Sequence, residues 1–475
     1  MTTRNHRGVS LPGCVAAATL LVCLGLSGCD FDVINPGPLQ DSATDDPGAW
    51  LALVNGIERA LANGFEDFAE SGDARARQIQ PAGDTNLNHE YEIGSAGSPG
   101  SPVDIGDQEA GFGELQQARW VGEQAIERVE AVLGSAASSN ELLAQMYLWT
   151  GYANRILGEY MCHAVFNGGP PEDYKTHLTR AIGQFTSAAN IATAGSDVQM
   201  AAYGGRASTH LHLQNYAEAE ADAQRIPMGF EWGVHYYSEN SPSWYWVTQI
   251  SGAAVRGITT WMTLFDEYYL DTGDPRAAWG FDPNYPTGET PRPLTWGDVP
   301  FQYPLKFFVP RTPAAYTDFD SRDGTAMRNL TIPVTSYREM QLIIAEVGLE
   351  LRSDWQTARD IINSRRAELI TENTSVHGGG HEGGTPLEPF PITDLESAWK
   401  WLKRERAIEM WMEGRRIGDL RRWREQGTPG ELHPLEFIPE EVAQRHGVSR
   451  EQDVCIPIPQ REIETNNNIA DNFRG

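Results

Sequence analysis

The stretch from Trp399 to Trp423 limits what this chain can fold into more than any other. Asp394, just after Pro391, can cap a helix that runs to about Gly414. On that helix Glu405, Glu409 and Glu413 recur every four residues and share one face. Carboxylates at this spacing repel by about a few tenths of a kcal/mol per pair in water, so the stripe makes sense only against facing cations. Arg406, Arg415, Arg416, Arg421 and Arg422 are the nearest supply, and Gly414 and Gly418 let the chain fold back to deliver the later ones. The expectation is a buried, charge-matched structural network of Glu405, Arg406, Glu409, Glu413, Arg416, Asp419 and Arg422. Trp401, Ile408, Met412 and Trp423 would exclude water from it.

Two functional readings of the same stretch are weaker. The nine basic residues between Lys400 and Arg424 could form a nucleic-acid or lipid-head-group patch. Yet Lys+Arg total 37 against 65 Asp+Glu, a net charge of −28, which argues against a nucleic-acid partner. Paired glutamates could be glycosidase catalysts, but catalytic carboxylates converge on a cleft from different elements. These share one helix face with arginines interleaved.

At the other end, Arg4 and Arg7 precede an apolar run from Leu11 to Leu26 that closes on Leu26-Ser27-Gly28-Cys29. This is a secretory signal, and it resembles a bacterial lipoprotein box cut before Cys29. The likeness implies a signal peptide over 1–28, acylation of Cys29, and a lipidated tether over 29–45. Asp30 and Asp32 resemble an inner-membrane retention signal in some bacteria and a surface-export signal in others, and both stay open. No other stretch reaches the roughly 18 apolar residues a membrane span needs, so the rest of the chain is expected to be a soluble, tethered body. Of five cysteines only Cys162 and Cys455 lie in that body. If it is extracytoplasmic, a Cys162–Cys455 disulfide is favoured over two free thiols.

The body, 46–475, reads as mostly α. Helical periodicity starts at Asp46-Pro47 with Trp50, Leu53, Val54, Ile57 and Leu61, and resumes over about 112–134, 139–160 and 174–194. Met200 to Ile226 and Arg338 to Arg366 repeat one scheme. In each a polar turn residue and an aromatic (Asn215-Tyr216, Asp354-Trp355) are followed three positions on by alanine, Ala219 or Ala358. These spacings resemble the tetratricopeptide helix pair, which places a helix-pair scaffold over about 46–227 and 337–423. Between them, 228–336 holds 6 of 14 Trp, 8 of 16 Tyr and 11 of 29 Pro, and is expected to be an irregular, aromatic-walled insertion. His377, His381 and Glu382 lie among glycines that supply no rigid ligand set, so the expectation there is disorder, with no metal and no cofactor. In the C-terminal segment 424–475, Ile456-Pro457-Ile458-Pro459 should run extended with its isoleucines inserted in the core.

With the lipoprotein box, the helix pairs, the block Glu405-Arg406…Glu409…Glu413-Gly414…Arg416…Asp419-Leu420…Arg422-Trp423 and the tail Ile456-Pro457-Ile458-Pro459…Glu462-Ile463…Asn466, the chain resembles the SusD/RagB family of nutrient-uptake lipoproteins. It departs from the family in having Asn466-Asn467 where Asn-Pro is usual. The resemblance implies a non-enzymatic, surface-exposed outer-membrane lipoprotein. Such a protein binds an oligomer, most often an oligosaccharide, and delivers it to a TonB-dependent transporter of the SusC type. Sugars stack on flat rings and satisfy their hydroxyls with polar side chains. The ligand-binding candidates by composition and position are Trp244, Trp246, Trp279 and Trp296 in the insertion, and Asp84, Asn86, Asn88 and Tyr91 in the first long loop. Two alternatives remain. One is a glycan-degrading enzyme using the acidic cluster Asp266, Glu267, Asp271 and Asp274; the other is a tetratricopeptide-type peptide-binding scaffold.

Overall fold

The computed structural model describes residues 44–81, 107–237, 258–280, 302–307, 329–451 and 453–470. Asp46 accepts the Gly48 N–H, Pro47 opens a single 3-10 turn, and helix α1 (Trp50–Arg75) follows. Its face of Trp50, Val54, Ile57, Leu61, Phe65 and Phe68 is buried, each side chain contributing about 1.5–3 kcal/mol. Next come α2 (Asp107–Leu133), α3 (Glu141–Tyr160), α4 (Lys175–Ile191), α5 (Asp197–His212) and α6 (Tyr216–Ala223). Beyond the insertion, which holds α7 (Leu264–Thr272), lie α8 (Tyr337–Arg352), α9 (Trp355–Glu368), α10 (Leu395–Glu409), α11 (Arg416–Gln426), α12 (Glu440–His446) and α13 (Gln460–Thr465). Side-chain caps mark the starts of several helices: Asn140 for α3, Ser196 for α5, Ser336 for α8 and Asp354 for α9.

From α1 to α6 each helix packs on the one before it, and α8 continues the stack by lying against α6 with α9 and α10 beside it. This is the tetratricopeptide-like superhelix. The repeat residues explain how close its helices come: Ala219 and Ala358 are fully buried at the crossings. A Cβ on Gly122 of α2 would lie 2.0 Å from Thr150 Oγ1 of α3, so only glycine admits this approach.

Among the described residues, four antiparallel strand pairs accompany the helices. They join β1 (Gln80–Pro81) to β5 (Ile258–Thr259), β2 (His163–Ala164) to β3 (Glu172–Asp173), β4 (Glu231–Tyr237) to β8 (Asn329–Ser336), and β6 (Trp279–Gly280) to β7 (Tyr303–Pro304). The β4–β8 ladder runs from Glu231↔Ser336 to Tyr237↔Asn329 and closes the base of the insertion. Periodicity-2 alternation, with Val234 and Tyr236 inward, carries this ladder, although the insertion was expected to be irregular.

The tail is extended as expected. Ile456 pairs in parallel with Met161, the Cys162 N–H donates to the Ile456 carbonyl at 2.8 Å, and Cys162 is disulfide-bonded to Cys455 with Cα atoms 5.0 Å apart. Ile456 and Ile458 are both buried. The glycine-rich loop departs from expectation. Instead of being disordered it is pinned by bonds from Thr371 N–H to Thr385 O (2.8 Å), Glu372 N–H to Gly273 O (2.7 Å) and Thr374 N–H to His381 O (3.0 Å). His381 Nδ1 accepts the Gly383 N–H at 3.0 Å, and the His377 ring packs on Trp279.

Candidate functional site

The charge network exists, but its pairings differ from those expected. Helix α10 stops at Glu409, so Glu413 lies in the 410–414 turn and only Glu405 and Glu409 share the helix face. Their cations do not come from the neighbouring arginines. Arg276, from the insertion, reaches Glu405, Glu409 and Asp274; Arg365 of α9 donates to Glu409 (Nε–Oε2 3.0 Å); Lys306, again from the insertion, holds Glu413 at 2.7 Å. The local arginines serve other carboxylates. Arg406 forks onto Asp419 at 2.8 and 2.9 Å, Arg422 pairs with Glu346 and Asp419, Arg415 with Glu339 at 2.8 Å, and Arg416 with Glu436. Arg421 donates to the carbonyls of Met161 and Glu159, satisfying the C-terminal end of α3. Burial alone would raise the Asp419 carboxyl, but Arg406 and Arg422 overcome it and hold it well below the usual range. Most of these charges meet more than one counter-charge, as a buried structural network requires. Trp401 is half-buried on Phe390 rather than sealing the network.

The 410–414 turn is the hub on which the surrounding segments converge. Met412 sits at φ 59°, a left-handed conformation that costs a side-chain-bearing residue of order 1 kcal/mol or more, and it persists because neighbours over-determine it. The Met412 N–H donates to Gln78 Oε1 (3.2 Å), Trp411 Nε1 to the Gln78 carbonyl (3.0 Å), and Tyr160 Oη to the Gly414 carbonyl (2.7 Å). Phe265 of α7 stacks on Trp411 at 4.4 Å and 9°. Lys306 Nζ donates to the Glu409 carbonyl at 2.6 Å as well as to Glu413. Residues 78, 265 and 306, far apart in sequence, are thus fastened to one rigid turn.

Those three points lie beside a second junction. Pro81, Ile258 and Gln302 each adjoin a stretch outside the described residues, 82–106, 238–257 and 281–301. Strands β1 and β5 pair Gln80 with Thr259 and Pro81 with Ile258. The Thr260 N–H donates to the Gln302 carbonyl (2.8 Å), and the Gln302 N–H to Thr259 Oγ1 (3.0 Å). At this stitch stand a half-buried Trp261, Met262 at φ 57° and partly exposed, and Asp266 in the first turn of α7. The Asp266 carboxylate lies near the Met262 N–H and, with the Gln302 amide turned to put its nitrogen inward, contacts that nitrogen at 3.2 and 3.3 Å. Burial pushes the Asp266 carboxyl up to about 6, against the nearby Met262 N–H and Gln302 amide, which favour its charged form.

The SusD family profile matches residues 303–474. The fold is similar to that of a SusD-like protein from Bacteroides fragilis, with TM-score 0.62, 13% identity, and 90% of this chain and 97% of that chain covered. It is also similar to a SusD superfamily protein from Bacteroides thetaiotaomicron (TM-score 0.60, 17% identity, 89% and 98% covered). A laminarin-binding SusD-like protein resembles it as well (TM-score 0.56, 13% identity, 90% and 98% covered). Compared with curated proteins, the sequence finds no match. Residues 303–474 match the SusD/RagB family, and the chain as a whole has the SusD-like fold.

Set in that SusD/RagB scaffold, the candidate residues divide sharply. Trp244, Trp246, Trp296, Asp84, Asn86, Asn88, Tyr91 and the lipidation candidate Cys29 lie outside the described residues. Trp279 does not offer a stacking face: it is 2% exposed, packed between Tyr269 and His377, because pairing of β6 with β7 turns it into the core. Asp274 is fully buried and bonded to Arg276 (2.8 Å), while Asp271 and Glu267 face solvent. Trp261 and Gln302 were missed in the sequence. Trp261 opens a short helical stretch and looks like core, and nothing local to Gln302 marks it. A cleft of about 320 Å3 between α8, α9 and α10 is lined by Tyr337, Gln341 and Thr357. Its arginines are already engaged, Arg365 with Glu409 and Glu368 and Arg338 with Glu368.

Proposed function

We propose that this SusD/RagB protein is an outer-membrane lipoprotein, acylated on Cys29. In this reading it binds a glycan reversibly and delivers it to a TonB-dependent transporter of the SusC type, with no bond broken. The observation that carries the reading is the junction of β1, β5 and Gln302. In a chain with a SusD-like fold it gathers the flanks of three stretches that between them carry Trp, Tyr, Asn and Asp. A reversible binder needs such a preorganised platform and no proton-transfer pair. Of the acidic cluster in the insertion, Asp274 is already spent on Arg276. The laminarin-binding relative supports a polysaccharide as cargo. No described helix is long and apolar enough to cross a membrane, which is compatible with an acyl anchor.

The test takes the full chain expressed in a host with an outer membrane. Labelled palmitate should enter the protein and be lost in Cys29→Ser. The purified lipid-free body should be retarded in gels containing a polysaccharide and release no reducing sugar. Steady release of reducing ends from the polymer would defeat the binding-only reading.

A further inference from the structure

The geometry points to Trp261, Asp266 and Gln302 as one subsite for a neutral sugar ring: the indole face takes the C–H surface of the ring, and the carboxylate and amide take its hydroxyls. The inference rests on the glycan reading above and adds Trp261 and Gln302, which neither composition nor the family likeness supplies.

Several independent observations meet here. The Asp266 carboxylate is near enough to the peptide N–H that joins Trp261 to Met262 for that N–H to favour its charged form, which places it beside the backbone of the half-buried tryptophan. The same carboxylate contacts the Gln302 amide at 3.2 and 3.3 Å. A carboxylate offers about four lone-pair directions, and these two contacts leave capacity for ligand hydroxyls on a side chain that is only partly buried. The turn is held from both sides, by Trp261 N–H to Thr259 Oγ1 (3.2 Å) and Thr263 Oγ1 to the Thr260 carbonyl (2.6 Å). It keeps Met262 at φ 57° with 37% of its surface exposed. A bulky exposed residue held in that conformation is the kind of stored strain that accompanies ligand sites. Phe265 on Trp411 and Lys306 on the 409–413 carbonyl and carboxylate keep both sides of the subsite in register. Charge selects the ligand class. Asp266 with Glu267 beside it, in a chain of net charge −28, repels uronates and sulfated sugars and leaves neutral hexose or pentose polymers.

The experiment runs the lipid-free body through native gels containing a β-1,3-glucan, starch, galactomannan, xylan or polygalacturonate. Trp261→Ala, Trp261→Phe, Asp266→Asn and the exposed control Asp271→Asn run alongside, with thermal midpoints measured for each. The wild type should be retarded by at least one neutral polymer. Trp261→Ala and Asp266→Asn should weaken that retardation about tenfold, and Trp261→Phe, which keeps a flat ring, should retain most of it. Should Trp261→Ala fail to fold, Asp266→Asn and Trp261→Phe carry the comparison. Retardation of the wild type that both Trp261→Ala and Asp266→Asn leave intact would overturn the subsite while sparing the glycan reading. Retardation by polygalacturonate in preference to neutral polymers would overturn the assigned ligand class. No retardation by any polymer would remove the subsite and the glycan reading together.

Discussion

Replacing Lys306 with methionine should produce a stability defect that grows with pH. Lys306 and Glu413 have only 15% and 9% of their side chains exposed, so their interaction is weakly screened. One part of the loss is independent of pH: the charged hydrogen bond to the Glu409 carbonyl disappears, at about 1.5–3 kcal/mol. The other part follows from Glu413, whose carboxyl burial pushes up to about 7 even with Lys306 opposing it. A carboxyl whose folded pKa exceeds its unfolded value binds its proton more tightly in the folded protein. It therefore favours folding at low pH, and that advantage is lost as pH rises to the folded pKa. In the wild type this loss is complete a little above pH 7. In Lys306→Met the folded pKa climbs further, so the loss continues at about 1.4 kcal/mol per pH unit. Between pH 7 and pH 9 the gap between variant and wild type should widen by up to about 3 kcal/mol. Below about pH 6 it should shrink to the hydrogen-bond part, because Glu413 is then neutral in both proteins. Urea denaturation at pH 5.5, 7 and 9 and constant ionic strength measures the gap directly. A gap that stays constant, or narrows as pH rises, would refute the clamp.

Three further outcomes follow from particular contacts. Glu346→Gln leaves Arg422 short of a buried counter-charge and should cost about 3–5 kcal/mol in denaturant titrations. Cys162→Ser with Cys455→Ser opens a link spanning 293 residues and should lower stability by up to about 5 kcal/mol; the unreduced, denatured body lacking residues 1–29 should show no thiol to Ellman's reagent. Gly122→Ala should cost about 1–3 kcal/mol where α2 meets Thr150, whereas Gly56→Ala, with open space around it on α1, should be neutral or stabilising by up to about 1 kcal/mol. Paired thermal melts separate the two glycines.

How much was legible varied with the range of the forces involved. The helix pairs were readable because the apolar spacing of α1 and the Asn215-Tyr216…Ala219 and Asp354-Trp355…Ala358 signatures are local. The buried isoleucines of the tail followed from two prolines that allow no helix. The end of α10 was misplaced by one turn, since no local signal announces a left-handed methionine. Met412 and Trp411 are held by Gln78, more than 330 positions away. The partners of the glutamate stripe were misassigned for the same reason, because proximity in sequence favoured Arg415 to Arg422 while the fold brought Arg276, Arg365 and Lys306. Trp279 looked free among prolines until β6 and β7 paired around it.

The chain by itself determined most of its helices, its helix-pair repeat and the presence of a buried charge network, since each is written in periodicity, caps and short-range residue types. Only the tertiary structure decided which cation meets which carboxylate, which tryptophan is core, and where three distant stretches are tied together. The physical reason is that matched buried charges and ring stacks are satisfied by whatever the fold brings within a few ångströms. Sequence spacing reports only what lies one or two helical turns away.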